Sequence, residues 1–436
     1  MSAQTIEKVP TQAWITTFAG TAINLCLGIL YAWSIWKSAL VDVDRAGEIM
    51  TGMNAGWIYL TNAQAATPFS LCVIMFAAMM IPGGRIQDKI SPKFGAITGG
   101  LLLAGGCIIA GLMKSYAGLI IGFGIIGGFG MGMGYAAPTP AALKWFGPEK
   151  RGMIAGLVVG GYGGAALYIG WLGQKLIDSY GITGSFVGLG VFFAVVVTIA
   201  GCFLKAPPKD YTPPMRKAGS GHSSATEKTH DWEAGDMMKT WQFYALVFMF
   251  ILTTQSGLLI ISSAKGLMMA TAKGMPFFVA NAWILVSFGG LVNASGRVGT
   301  GMYSDKIGRE NAYCLNCGVS AVCMFLLPFV ISSANLFLLF LVVGIAYWQY
   351  GGGLALMPSF TADFFGAKNL GFNYGLVFLG WGMGFFMARI GGVIQDITGS
   401  LNLAFYISGA MLVAAVILAK LTTKPQYTGQ GAAATA

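Results

Sequence analysis

Residues 285–309 have the sequence LVSFGGLVNASGRVGTGMYSDKIGR, in which Arg297 lies inside an otherwise apolar run. A guanidinium keeps its proton, and near the centre of a bilayer it costs at least about 2.5 kcal/mol on insertion scales. Such a residue is retained where it faces a protein interior or a watery cavity, usually beside an anion. Because no acidic residue lies within any apolar span of the chain, the expected partner is an anion that binds and leaves. The pattern predicts an anion carrier; the alternative is a structural arginine bonded to backbone carbonyls.

Composition places the chain in the membrane. Hydrophobic residues make up 56% of it, charged residues 10%, and the mean hydropathy is +0.69. A helix needs about 20 apolar residues to cross the hydrocarbon core. Twelve such spans are predicted: 14–36, 62–82, 94–113, 117–140, 152–177, 186–204, 241–264, 275–303, 311–331, 335–360, 370–395 and 403–420. We therefore expect an all-α membrane protein with 12 transmembrane helices.

The distribution of basic residues predicts the orientation. If the N-terminus is inside, segments facing the cytoplasm hold 18 Lys and Arg residues and external segments hold 6. Basic residues accumulate on the cytoplasmic side of membrane proteins. Both termini are therefore expected in the cytoplasm, with the chain a multi-pass protein of the cell inner (plasma) membrane. The net charge of +10 reflects this bias, and no nucleic-acid partner is expected.

The two halves of the chain repeat. GGRIQDKISPK and GMYSDKIGRE align with Asp88 on Asp305, and residues 145–156 align with 364–375. Two parallel halves with a site near the midplane between them are typical of secondary transporters. Each half buries its interface against the other, so a functional monomer is expected. The predicted units are a six-helix bundle at 1–204, a cytoplasmic linker at 205–240, a pseudo-symmetric six-helix bundle at 241–424, and a disordered tail at 425–436.

The repeated motif resembles the signature of the major facilitator superfamily, G-x-x-x-D-[RK]-x-G-[RK], after the second and eighth spans. The first copy departs from it by having Ser91 where the second glycine is usual. The glycine is expected to let two helices meet, while the aspartate caps a neighbouring helix or pairs with a basic residue. The resemblance implies a conformational latch that these contacts close in the outward-open state. Its residues are Gly84, Asp88, Lys89, Gly301, Asp305, Lys306 and Arg309.

A set of polar side chains on the spans is the candidate substrate site. Arg297 lies eight residues before Asp305, about 12 Å along a helix, and its planar fork suits a carboxylate. Asn293, one turn earlier, either orients the guanidinium, binds the substrate or serves packing alone. Aromatic residues with polar tips on other spans can donate to a carboxylate, although each alone fits simple packing. These are Tyr31, Tyr135, Tyr347, Tyr350 and Trp381.

Four segments resemble the oxalate/formate antiporter family and its monocarboxylate-carrying relatives: GILYAWSIW, GMGYAAPTP, NASGRVGTGMYSDKIGR and GFNYG. The resemblance implies that Arg297 binds the substrate carboxylate and that Tyr31 and Tyr135 help to enclose it. Dicarboxylate exchangers of this group carry a lysine where Trp381 stands here. Because a second carboxylate would be left desolvated and unpaired, a monoanion such as lactate, pyruvate, formate or a short fatty acid is expected. An oxalate/formate-type exchanger and a carrier of neutral solutes are the alternatives.

Coupling is left open by the sequence. Related animal carriers have an aspartate at the position of Asn293, and the apolar spans here contain no Asp, Glu or His to relay a proton. Transport by proton symport and exchange against a counter-anion therefore both fit. No catalytic group, cofactor or metal is expected, and Cys314 and Cys317 are interpreted as small interior residues. Arg389, the other arginine within a span, is expected to extend towards the membrane interface.

Overall fold

The computed structural model describes residues 9–146, 148–208, 211, 230–366 and 369–427; within these ranges, the side chains of residues 88, 148–152, 305 and 371 are not described. In the first half the chain forms helices α1–α8 along with two 3₁₀ turns and a π-helical stretch. They are α1 Thr11–Leu27, the 3₁₀ turn Gly28–Ala32, α2 Ser34–Leu40, the second 3₁₀ turn Gly52–Asn54, α3 Asn62–Lys89, α4 Pro92–Met113, α5 Tyr116–Gly118, the π-helix Leu119–Gly127, α6 Gly128–Tyr135, α7 Pro138–Leu143 and α8 Pro148–Phe203.

The second half contains helices α9–α17. They are α9 Ala234–Met237, α10 Trp241–Thr271, α11 Pro276–Ala280, α12 Trp283–Ile307, α13 Arg309–Ser332, α14 Leu336–Phe365, α15 Leu370–Met383, α16 Phe386–Thr398 and α17 Asn402–Leu421. Several helices begin at side-chain caps that satisfy the free N–H groups of the first turn. Thr61 and Gln64 form a capping box before α3, and Thr240 accepts from the Phe243 amide at the start of α10.

Twelve membrane crossings are present in the described part of the chain. Ten helical segments there are long and apolar enough to cross a bilayer. One of them, Met153–Phe203, contains Gly181 with φ 70° and ψ −177°, so it is two crossings joined at a sharp bend. Helix α12, which carries Arg297, is the remaining crossing. The predicted fold class, an all-α membrane protein with 12 transmembrane helices in two pseudo-symmetric six-helix bundles, is confirmed.

Two crossings differ from the sequence prediction in detail. The first runs from Thr11 to Leu40 and is broken by the 3₁₀ turn Gly28–Ala32, which the hydropathy pattern did not indicate. The eighth was predicted to begin at residue 275 but begins at Trp283, because Pro276 starts a separate short helix that ends at Ala280. Apolar composition continues through these breaks, so a hydropathy window alone cannot detect them.

The crossings alternate in direction, so the bundle has two faces. The face where α1 begins and α17 ends is called the termini face, and the opposite end is called the far face. Helices α8 and α12 pack closely between the halves: a Cβ at Gly290 would lie 2.8 Å from the Leu167 backbone nitrogen. Close approach of this kind is how membrane helices gain packing energy.

On the termini face, the end of the linker packs against the second half. The Trp232 amide donates to the Phe365 carbonyl at 3.0 Å, and the Trp232 carbonyl accepts from Asn373 at 3.1 Å. The Tyr427 ring stacks on His230 with centroids 3.6 Å apart. The C-terminal segment is therefore held as far as Tyr427. The predicted linker ends with the single turn of α9, while its residues 209–210 and 212–229 and residues 428–436 of the predicted tail lie outside the described residues.

Candidate functional site

Arg297 lies on α12 at the interface between the halves and is only 6% exposed. Its guanidinium donates from Nε to Asn293 Oδ1 at 3.2 Å and from Nη2 to the Tyr31 hydroxyl at 3.2 Å. A weaker bond runs from Nη1 to the Val159 carbonyl of α8 at 3.4 Å. Within the described ranges, no carboxylate oxygen lies within 4.0 Å of it. The buried cation is thus held by neutral oxygens from both halves and has no counter-ion there.

A glycine on α8 makes room for the guanidinium. A Cβ at Gly163 would lie 3.1 Å from Arg297 Nε and 3.3 Å from Asn293 Oδ1. Asn293 is fully buried, and its Nδ2 has no hydrogen-bond partner in the described structure. A buried N–H group without an acceptor is costly, so such groups mark places where a ligand or water binds. Asn293 therefore both orients Arg297 and presents a free donor beside it.

A chain of hydrogen bonds leads from the arginine across the interface. The Tyr31 hydroxyl, which accepts from Arg297, lies 3.1 Å from the Tyr350 hydroxyl. Trp381 Nε1 donates to the same Tyr350 oxygen at 2.8 Å. Tyr31 comes from the first half, whereas Tyr350 and Trp381 come from α14 and α15 of the second. Any movement of one half against the other must change this chain.

Aromatic rings enclose the polar chain. Trp381 contacts the ring of Phe76 with centroids 4.9 Å apart and stacks on Phe378 at 5.0 Å. The rings of Tyr135 and Tyr162 meet edge to face with centroids 5.1 Å apart. The Tyr135 hydroxyl interacts electrostatically with the Arg297 guanidinium. Such a wall excludes water, and a charge buried behind it interacts strongly with an anion.

The structure brings together all six predicted substrate residues, and it adds three that the sequence analysis missed. Phe76, Tyr162 and Phe378 line the same cluster, and no sequence pattern separates Phe76 or Tyr162 from packing residues. One signal was available for Phe378, which lies three residues before Trp381 and therefore on the same helix face. Tyr347, one turn before Tyr350, has a buried hydroxyl without a partner in the described structure.

The glycines of the predicted latch do not mediate close helix contacts in this conformation. A Cβ at Gly84 or at Gly301 would meet no atom within 4 Å. The close approach is made instead by Gly83, where a Cβ would lie 3.1 Å from the Met133 Cα. The expected role of the two motif glycines in the outward-open state therefore stays a prediction. The side chains of Asp88 and Asp305 lie outside the described residues, so the latch itself stays a prediction.

The basic residues of the motif lie at the termini face. Lys89 and Lys306 are exposed there. Arg309 donates to the Ser304 hydroxyl and lies 4.0 Å from the Asp363 carboxylate at the end of α14. These Arg309 contacts join elements of the second half only. A contact between the halves is made by the Arg85 guanidinium, whose Cζ lies 5.0 Å from the centroid of the Phe372 ring.

Arg389 is separate from the cluster. It is half-buried on α16, two turns beyond Trp381 towards the far face, and its Nη1 has no partner in the described structure. The second arginine within a span is therefore not part of the hydrogen-bond chain.

The sequence model of the family described as Major Facilitator Superfamily matches residues 13–357, which is well over half of the chain. The chain belongs to the major facilitator superfamily. Among solved structures, this superfamily member resembles the xylose transporter XylE from Escherichia coli at a TM-score of 0.67 and 12% identity, covering 93% of this chain and 98% of that one. This likeness bears on the fold alone.

Three relatives of this superfamily member are similar in sequence. The MFS-type transporter YhjX of Escherichia coli (strain K12) is 27% identical over 85% of each chain. The oxalate:formate antiporter of Oxalobacter formigenes is 26% identical, covering 80% of this chain and 76% of the relative. The apicoplast pyruvate carrier 1 of Toxoplasma gondii is 24% identical, covering 84% and 80%. The family membership indicates a multi-pass membrane transporter rather than an enzyme.

Proposed function

We propose that this transporter carries small monocarboxylates such as lactate, pyruvate or formate by alternating access, binding the carboxylate at Arg297. The observation that carries the proposal is a buried guanidinium between the halves, with no carboxylate partner in the described structure. A carboxylate fits this fork through two parallel hydrogen bonds. The free Asn293 Nδ2 and the Tyr31 and Tyr135 hydroxyls supply further donors around it.

A single negative charge suits the cluster best. Arg297 is the cation that acts on Tyr31, Tyr135 and Tyr350, and within the described residues no lysine joins it there. Trp381 stands where related dicarboxylate exchangers carry a lysine, and it is only 1% exposed. A second carboxylate beside that ring would lose its hydration without gaining a partner.

The relatives agree with a carboxylate substrate. One relative is an oxalate:formate antiporter, another is a pyruvate carrier, and a monocarboxylate transporter 12 of Homo sapiens is 23% identical over 80% of this chain. Oxalate/formate exchange is the second candidate, favoured by the similarity to the oxalate:formate antiporter alone. Carriage of neutral solutes is disfavoured, because a buried arginine without a counter-ion is costly unless an anion binds it.

The orientation belongs to the same proposal. The excess of basic residues at the termini face predicts that this face lies in the cytoplasm, with the chain in the inner (plasma) membrane. The interface between the halves is formed within one chain, so a monomer suffices for transport. No cofactor or metal is required for this mechanism.

A thermal-unfolding screen tests the substrate class. A ligand at about 100 times its Kd stabilises the folded state by about 2.7 kcal/mol. We expect pyruvate, lactate and formate to raise the melting temperature of the purified transporter. Oxalate should have a smaller effect, and xylose or a quaternary ammonium compound should have none. Stabilisation by the sugar or the cation alone would refute the proposal.

Coupling to protons can be imposed by one substitution. In Asn293→Asp, a carboxylate 3.2 Å from the guanidinium would become its internal counter-ion. We expect pyruvate uptake near pH 7 to fall at least about tenfold, because the substrate must then displace a paired charge. Uptake should recover as the pH is lowered, since protonation of the new carboxyl frees Arg297.

The measurement is uptake into proteoliposomes between pH 5 and 8. Asn402→Asp, which adds the same charge at an exposed position on the far face, is the matched control and should leave the pH profile unchanged. An Asn293→Asp profile identical to that of the parent would show that Asn293 does not lie beside the bound anion.

A further inference from the structure

On the far face, the two halves contact each other through Asp396. This residue lies on α16, at the far-face end of the eleventh crossing, and its carboxylate reaches the first turn of α3 in the other half. Oδ1 accepts from the Asn62 backbone amide at 2.8 Å and from Asn62 Nδ2 at 3.0 Å. Oδ2 accepts from the Ala63 amide at 2.8 Å. All three donors belong to the opposite half of the protein.

The local structure of α3 explains why an aspartate binds there. The first N–H groups of a helix have no partner within the helix, and the helix dipole favours negative charge at that end. The Thr61 side chain caps the Gln64 amide, which leaves the Asn62 and Ala63 amides for Asp396. The capping of α3 is therefore completed by a residue of the other half.

A glycine allows the approach. A Cβ at Gly392, one turn before Asp396, would lie 2.8 Å from the Asn62 carbonyl oxygen and 2.9 Å from the Ala63 Cα. Any larger residue would push α16 away from α3 and carry the carboxylate out of hydrogen-bonding range. Gly392 and Asp396 thus form one structural unit.

A related contact occurs on the opposite side of the pseudo-twofold axis. Lys265 on α10 donates to Gln174 Oε1 of the first half at 2.6 Å, and Gln174 in turn donates to Asp178 at 2.7 Å. Asp178 aligns with Asp396 in the internal repeat. Asp396 also has a lysine of the other half near it. This is Lys37, a buried residue of the first crossing, which interacts electrostatically with the Asp396 carboxylate.

The pairs are crossed between the halves. Each half contributes a lysine from the far-face end of its first crossing and an aspartate from the far-face end of its fifth. In both pairs, the lysine of one half acts on the aspartate of the other. The two sides differ in their contacts. Asp396 binds the first turn of α3 directly, whereas the N-terminus of α12 has no side-chain cap and Asp178 accepts from Gln174.

From this geometry we infer that Asp396 on α3 and Lys265 on Gln174 form a double latch that holds the far face closed. To open towards that side, the transporter must withdraw α16 from α3 and leave the Asn62 and Ala63 amides without their acceptor. The latch thereby stabilises the state in which the Arg297 site is shielded from the far face. It sets the balance between the two states of the transport cycle, independently of which anion binds.

Spin-label distances across the far face test the latch. Labels at Met53→Cys in the first half and Phe337→Cys in the second occupy exposed positions on that face. The background carries Cys202→Ser and Cys314→Ser, which removes the two cysteines that are not buried. In Asp396→Asn without substrate, we expect the ratio of the long-distance to the short-distance population to rise about tenfold.

Two further variants make the outcome decisive. Lys265→Met should produce a shift in the same direction, and it carries the test if Asp396→Asn does not fold. Glu48→Gln is the control, because Glu48 is an exposed far-face carboxylate that pairs with Arg45 of its own half. Distances in a folded Asp396→Asn or Lys265→Met protein that match those of the parent would overturn the latch, even if the melting temperature falls. Because no substrate is added, the result does not depend on the proposed carboxylate specificity.

Discussion

Replacing Arg297 by glutamine is expected to reduce uptake of pyruvate, lactate and formate into proteoliposomes at least about 100-fold. Breaking a buried ion pair by removing one partner costs about 3–5 kcal/mol, which corresponds to a factor of 100 or more in affinity. Glutamine keeps an amide that can reach Tyr31 but supplies no charge to the anion. Nothing else at the cluster replaces that charge, because its other members are aromatic rings, hydroxyls and amides.

Two variants accompany this measurement. Arg297→Lys keeps the charge but loses the fork that places two donors on one carboxylate, so partial uptake is expected. Arg389→Gln removes the other arginine within a span, which lies outside the hydrogen-bond chain, and should retain uptake within about threefold. Equal loss in Arg297→Gln and Arg389→Gln, or no loss in either, would contradict binding at Arg297.

Trp381→Lys is expected to shift the transporter towards dicarboxylates. The Trp381 ring contacts Phe76 and Phe378, and its Nε1 binds the Tyr350 hydroxyl at 2.8 Å. A lysine in this place adds a second cation near Tyr350, on the opposite side of the hydrogen-bond chain from Arg297. It would pair the second carboxylate of oxalate, an interaction worth several kcal/mol once both groups are desolvated.

We therefore expect oxalate uptake by Trp381→Lys to rise at least about tenfold relative to formate uptake. Trp381→Met is the control, because it also removes the bond to Tyr350 and the aromatic contacts but adds no charge. If the methionine variant gained oxalate uptake as well, loss of the ring rather than added charge would explain the change. An unchanged oxalate-to-formate ratio in a folded Trp381→Lys protein would show that Trp381 does not contact the substrate.

The crossings and the central residues of the site follow from the sequence for physical reasons. A charged residue within a helix of apolar neighbours must face the protein interior, which is why Arg297 and Asn293 could be placed at the interface in advance. Tyr31, Tyr350 and Trp381 were expected because their polar tips need partners when buried. The structure supplies these partners in a single chain.

Other features depend on contacts that one helix does not encode. Phe76 and Tyr162 look like ordinary packing residues, and only the packing of the two halves brings their rings to the cluster. The binding of Asp396 to Asn62 depends on the distance between α16 and α3, which is set by the packing of the two halves. Whether the motif glycines Gly84 and Gly301 lie at close helix contacts depends on the conformational state, which sequence alone does not specify.

The most direct test is a structure of the transporter with 2-bromopropionate, whose bromine gives an anomalous signal. We expect the carboxylate to lie within about 3.2 Å of the Arg297 guanidinium nitrogens, with the bromine against the aromatic wall of Phe76, Tyr162 and Phe378. The same experiment on Arg297→Gln should show no bound anion. Density for the anion elsewhere, with Arg297 still bonded only to Asn293, Tyr31 and Val159, would show that Arg297 does not bind the carboxylate.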